Sequence, residues 1–340
     1  MKKYLTDAIS SSGYVDKQRE NLTDIHRIYF FKNAQDHLRH ALMTLLYSEL
    51  KKQNTDIELI YGAKNIKKLA GLILRSQGIA FLSGETPPEG AVIIDFKEAY
   101  IYEKRDKIKI DLLNKEINEY YQSAYAYFNE ALNIHDEWEK IYIENMNFEK
   151  ADALKDKVIS AYFNAPQKET EGKVTKRFFG GATAEGYCDF VPELTKGLKR
   201  YLIKGRAGTG KSTLMRAVAQ HTIDRGYDTE IYHCGFDTNS VDMVLIPELG
   251  CCIFDATTPH VYDPTEETDV VIDTYEAFVH EGTDEKYKEE IEKVQSGYKH
   301  KIKEAVGRLK QAEHIQSELN EIHDKALEMN VAIALLSKIK

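Results

Sequence analysis

Apolar residues in this chain fall into two kinds of pattern. Short runs at positions 28–31, 57–61, 79–82, 201–203, 229–232 and 251–254 have the length and density of buried strands. Residues 213–220 switch to the spacing of a helix. Much longer charged stretches then carry one apolar residue every three or four positions. The first reads Ile110, Leu113, Ile117, Tyr120, Ala124, Phe128, Ala131 and Trp138. The second reads Tyr287, Ile291, Val294, Tyr298, Ile302, Ala305, Leu309, Ala312, Leu319, Ile322, Ala326 and Met329. Each places a single stripe on a helix face, which predicts long helices packed as a hairpin or coiled coil. Such arms either cap the sheet of their own module or serve as a lever and docking surface for a protein partner.

The two patterns recur in the same order. Residues 27–88 overlie 199–260 at a constant offset of 172, without a gap. Tyr29 meets Tyr201, Lys32 meets Lys204, Leu42-Met43 meets Leu214-Met215, Gly78 meets Gly250, and Thr86-Pro87 meets Thr258-Pro259. Upstream, Gly13-Tyr14-x-Asp16 matches Gly186-Tyr187-x-Asp189. The expected architecture is therefore α/β: a parallel sheet flanked by helices, duplicated in tandem, each copy extended by a long helical hairpin. The modules span 1–165 and 166–340, with arms over about 104–160 and 280–330. The polar stretch 165–172 reads as the linker, and the halves are expected to form an intramolecular pseudo-dimer.

Composition changes this picture little. With 340 residues and 42% apolar content, the chain can build two real cores. A net charge of −9 disfavours a broadly basic nucleic-acid surface. The N-terminus lacks the apolar core of a signal peptide, and no apolar run approaches the roughly 20 residues that span a bilayer. The four cysteines, Cys188, Cys234, Cys251 and Cys252, form no CxxC pair. A cytoplasmic protein with reduced thiols and no membrane association is expected.

The chemistry lies in the second copy. The strand at 199–203 runs into Gly205-Arg206-Ala207-Gly208-Thr209-Gly210-Lys211-Ser212, followed by a helical pattern from Thr213. Strand, glycine-rich loop and helix in that order are the context of a phosphate-binding P-loop. The glycines let successive N–H groups turn inward around a phosphate, and the helix start adds its positive end. Lys211 is expected on the β- and γ-phosphates, Ser212 on Mg²⁺, and Thr213 near the α-phosphate. The apolar strand 251–254 ends in Asp255, the expected second holder of Mg²⁺, with Asp242 as its nearest rival. His260, five residues on, is the candidate for sensing the γ-phosphate or polarising the attacking water. No Asn-Lys-x-Asp tetrad for guanine is present, which favours ATP.

The first copy has lost this set together. Its loop reads Asn33-Ala34-Gln35-Asp36-His37-Leu38-Arg39-His40, without glycines. Asp255 is replaced by Ser83 and His260 by Pro88. His233, Cys234, Asp237 and Asp242 are replaced by Tyr61, Gly62, Asn65 and Ala70. The first site therefore reads as dead, and the residues lost with it define the functional set of the second. Arg39 or Arg27 is a candidate arginine supplied across the pseudo-dimer. A Zn²⁺ site from His233, Cys234, Cys251, Cys252 and His260 fits no standard spacing, and adjacent cysteines on a strand face opposite ways. Three activities fit this set: a slow ATPase or nucleotide switch, a kinase in which Asp237 or Asp242 orients an acceptor hydroxyl, and a nucleotide-stabilised scaffold. No Glu follows Asp255 to activate water; Ala256-Thr257 stands there instead.

The segments 178–187, 204–212, Tyr232-His233-Cys234-Gly235-Phe236-Asp237 and 253–260 together resemble a family of bacterial tandem P-loop ATP-binding proteins. The likeness covers most of residues 176–280 and is looser in the first half. It implies two fused nucleotide-binding halves with helical insertions, ATP binding and ATPase activity.

Overall fold

The computed structural model describes residues 1–53, 56–337 and 339. In chain order the first part holds β1 (Lys3–Leu5), β2 (Asp7–Ser10), β3 (Gly13–Asp16), β4 (Arg27–Lys32), α1 (Asp36–Lys51), β5 (Ile57–Gly62), β6 (Asn65–Leu74), β7 (Ile79–Ser83), β8 (Val92–Asp95), α2 (Lys104–Ile143) and α3 (Phe148–Tyr162). Then follow β9 (Val174–Phe178), β10 (Gly180–Thr183), β11 (Gly186–Asp189), α4 (Val191–Leu194), β12 (Lys199–Lys204), α5 (Lys211–Asp224), β13 (Thr229–His233), β14 (Val241–Ile246), β15 (Cys251–Asp255) and β16 (Val270–Asp273). Helices α6 (Thr274–Phe278), α7 (Thr283–Lys286), α8 (Lys288–Ala326) and α9 (Met329–Leu336) complete the chain.

One twelve-stranded sheet carries both halves, in the order β16-β12-β15-β14-β13-β9-β1-β5-β6-β7-β4-β8. Counted outward from the central β9–β1 pair, the two sides repeat the same sequence of elements. That central pair is antiparallel and joins Leu5 to Phe178. The hairpins β2–β3 and β10–β11 stand outside the sheet. The fold is mixed α/β, and the sheet is not wholly parallel as the sequence pattern suggested. β6 and β14 run antiparallel to both neighbours. The reason is loop length. The turns before β6 and β14 are too short to hold a crossover helix, so the chain can only fold straight back.

Burial explains the density of the apolar runs. β14 is buried at every position, because one face meets α5 and the other an apolar layer common to both halves. That layer joins Tyr4, Phe30, Ile60 and Leu82 to Leu202, Tyr232, Met243 and Phe254. Where the halves meet, Arg177 is fully buried between Glu58 (3.7 Å) and Glu230 (3.8 Å) and stacks on Tyr4 at 4.2 Å. Arg75 adds a close pair to Glu58 at 2.8 Å. The expected linker 165–172 is laid along the end of α5, with Tyr227 Oη donating to the Pro166 carbonyl.

The arms differ from expectation. Each half contributes one long helix, and the two pair with each other rather than forming separate hairpins. Leu113 and Ile117 of α2 meet Ala312 and Leu319 of α8; further along, Ala124 and Phe128 meet Ala305 and Leu309. At 40 residues, α2 is about 60 Å long, enough to reach from one half to the other. The shorter helices then cross over. α3 precedes residue 166, yet sets Val158 into the core of α5 and β12. α9 follows it, yet sets Ala332 and Leu335 into the core of α1 and β4. No helix among the described residues is long and apolar enough to cross a membrane.

Candidate functional site

The loop between β12 and α5 is the centre of the candidate site. Gly210 takes φ 71° as the N-cap of α5, and Gly208 takes φ 74°. Both lie in the left-handed region that side-chain-bearing residues avoid. Within the turn, Thr209 Oγ1 donates to the Arg206 carbonyl (2.8 Å) and lies 2.7 Å from Thr274 Oγ1. Lys211 folds back over the loop: its Nζ donates to the Arg206 carbonyl at 2.7 Å and lies 3.6 Å from Asp255 Oδ2. Lys211 and Asp255 thus meet directly, a pairing the sequence pattern did not point to. Asp255 is fixed through its other oxygen, which accepts from Thr257 N (2.9 Å) and Oγ1 (2.6 Å). Ser212 Oγ accepts from Val241 N at 2.9 Å, tying the start of α5 to that of β14. Ala207 is half-buried and Thr213 is exposed beside the same helix start.

Ser212 and Asp255 offer a hydroxyl and a carboxylate oxygen at one end of the sheet, donors suited to a hard divalent cation. Asp242 does not join them. Its Oδ2 lies 3.3 Å from His260 Nε2, and both side chains are buried. Phe179 and Tyr187 hold the His260 ring edge-on at 4.9 and 4.7 Å. Burial alone would lower the imidazole pKa, but Asp242 outweighs it and the value is raised. Among the described residues, His260 Nδ1 has no hydrogen-bond partner.

The other residues of the expected set divide. Burial, reinforced by Asp242, pushes the Cys234 thiol up, so it stays protonated and weakly nucleophilic. Burial and Lys17 hold His233 down at about 4, so its ring is neutral at pH 7. Asp237 is occupied by a turn, its Oδ1 accepting from Asn239 N at 3.1 Å. Cys251 and Cys252 face different cores and do not converge on a common ion.

The equivalent loop of the first half is closed by side chains of that half and of α8. Arg39 pairs with Asp36 at 2.8 Å, which keeps it in its own half rather than reaching across. Asn33 Nδ2 donates to Asp95 (2.7 Å), and His37 Nδ1 lies 2.7 Å from Asp324 of α8. His40 Nδ1 accepts from Leu69 N at 3.0 Å, the counterpart of the Ser212–Val241 bond, so the tie survives with a different acceptor.

The sequence pattern missed the far end of α2. Glu139 lies against the loop: a methyl placed on Gly208 would sit 2.6 Å from the Glu139 carbonyl oxygen. His135, one turn earlier, lies 3.7 Å from Glu139 Oε1. Arg206 pairs with Asp284 at 2.9 Å and stacks on Tyr275 at 4.7 Å. The only sequence signal was the i, i+4 spacing of His135 and Glu139, common on any charged helix. No protein-family model matches this chain, and neither a curated protein nor a solved structure matches it significantly.

Proposed function

We propose that the chain binds ATP with Mg²⁺ at residues 205–212 and works as a slow ATPase or nucleotide switch with one live site. The observation that carries this reading is the loop itself. Glycine-permitted backbone leads into α5, with Lys211 folded over it and Asp255 beside the lysine amine. In the bound state Lys211 exchanges the Arg206 carbonyl for the β- and γ-phosphates, and the loop amides wrap the β-phosphate. Ser212 and Asp255 would hold Mg²⁺, which supplies charge neutralisation on the phosphate oxygens. His260, five residues beyond Asp255, is the group proposed to sense the γ-phosphate or polarise the attacking water. Asp237 holds a turn and Asp242 lies beside His260; a phosphorylated acceptor in place of free phosphate would favour the kinase reading instead.

Tandem duplication is part of the reading. The matched strand order on either side of the β9–β1 pair and the surviving His40–Leu69 tie support it. Membership of the tandem P-loop family that residues 176–280 resemble is part of the same proposal. The first half then acts as a nucleotide-free partner, and the α2–α8 pair links it to the live loop.

Calorimetric titration of Mg-ATP into the wild type and Lys211→Ala, with phosphate release measured on the same samples, tests the proposal. One ATP per chain, slow release of phosphate and loss of both in Lys211→Ala are expected. Absence of nucleotide binding by the wild type would refute it.

A further inference from the structure

We infer that the live phosphate loop is held in its binding shape by the far end of α2, through Tyr142, Asp284 and Arg206. The inference rests on the nucleotide-site reading and adds a positioning residue 64 positions upstream of Arg206. Tyr142 is 1% exposed and, with Ile141, packs against Ile291 of α8; its ring meets Tyr275 edge-on at 6.2 Å. Its hydroxyl donates to Asp284 Oδ1 at 2.8 Å. The other carboxylate oxygen of Asp284 accepts from Arg206 Nη2 (2.9 Å) and Nε (3.2 Å). Arg206 is in turn the residue whose carbonyl takes both Thr209 and Lys211. One residue chain thus runs from α2 to the groups that cradle phosphate. The Glu139 backbone against Gly208 is a second, independent brace.

A loop of glycines is costly to order, since glycine loses the most backbone freedom on fixing. Bracing it before ligand arrives moves that cost out of the binding step, which tightens binding without any new ligand contact. Tyr142 touches neither nucleotide nor Lys211 in this scheme. Its effect passes through Arg206, and this gives the test its sharp form.

The test measures Mg-ATP dissociation constants on the full chain for the wild type, Tyr142→Phe, Arg206→Ala and the double variant, with Lys211→Ala as the site control. Tyr142→Phe keeps the buried ring and removes one hydrogen bond to a charged group. About a five-fold weakening is expected, with the thermal transition nearly unchanged. The double variant should bind as weakly as Arg206→Ala alone, because the two changes cut the same link. If Tyr142→Phe unfolds, Asp284→Asn cuts that link from the other side. Wild-type affinity in Tyr142→Phe and Asp284→Asn, or full additivity with Arg206→Ala, overturns the inference and leaves the site reading intact. Failure of the wild type to bind ATP overturns both.

Discussion

Replacing Arg177 with Met should cost this protein more than any surface change, and the reason is electrostatic. The guanidinium is fully buried where the halves meet, between Glu58 at 3.7 Å and Glu230 at 3.8 Å. Methionine fills much of the volume but leaves two carboxylates facing each other in the interior. Glu58 keeps Arg75, and Glu230 keeps Lys2. Removing one partner from such a buried group costs about 3–5 kcal/mol. Glu58 itself responds to the same field. Burial pushes its carboxyl up, but Arg177 and Arg75 outweigh burial and bring it from 4.5 to about 2. That depression is worth on the order of 3 kcal/mol. Because the folded-state value lies below the unfolded one, this stability is present above about pH 4.5 and is lost as pH falls toward 2. Urea unfolding followed by circular dichroism at pH 7, 5 and 3 provides the assay. Arg177→Met should lose about 3–5 kcal/mol at pH 7 and show a shallower further loss between pH 5 and 3 than the wild type. Adding Glu230→Gln should recover part of the deficit by removing one stranded charge. A loss under about 1 kcal/mol in Arg177→Met would show that the ion cluster is not what binds the halves.

Two further outcomes follow from the arms and the site. Phe128→Ala empties a fully buried position on the α2–α8 seam and should cost about 3–5 kcal/mol by thermal or chemical unfolding, whereas a surface-like loss below 1 kcal/mol would mean the seam is not packed as described. Asp255→Asn should leave ATP binding measurable but remove most of its dependence on Mg²⁺ in paired titrations with and without the ion; an unchanged Mg²⁺ dependence would take Asp255 out of the proposed cation site.

The six dense apolar runs and the glycine-rich turn at 205–210 were legible because both signals are local, and each run lies in a strand of the sheet. A run such as Cys251-Cys252-Ile253-Phe254 can bury both faces only as an inner strand, and it does. Gly208 and Gly210 announce backbone angles that only glycine takes easily, and both take them. The offset of 172 likewise foreshadowed the matched strand order. β6 and β14 fell outside the predicted runs, and burial would not have told their direction: β14 is buried on both faces, while β6 is buried mainly over its second half. The contrast with Pro88 singles out His260 but not its neighbour: Asp242 reads as the nearest rival of Asp255 for the cation, and the fold sets it 3.3 Å from the imidazole.

What the chain could not announce is which helix each seam would meet. The stripe on α2 specifies an apolar partner at helical spacing, and the stripe on α8 satisfies that demand as well as a hairpin partner would. Ala124 and Ala305 are interchangeable knobs as far as periodicity is concerned. The choice is made by geometry at the ends. α2 terminates with Ile141 and Tyr142 among Ile291, Tyr275 and Tyr287, and α8 terminates with His323 beside Tyr100 and Tyr102, the two tyrosines stacked at 5.7 Å. Each helix can satisfy both its stripe and its terminal aromatic contacts only by spanning to the other half. An intra-half hairpin would satisfy the stripe and strand the tyrosines in water. That is why Tyr142 reaches Asp284, and why the loop at 205–212 is braced by a residue 63 positions before its first glycine.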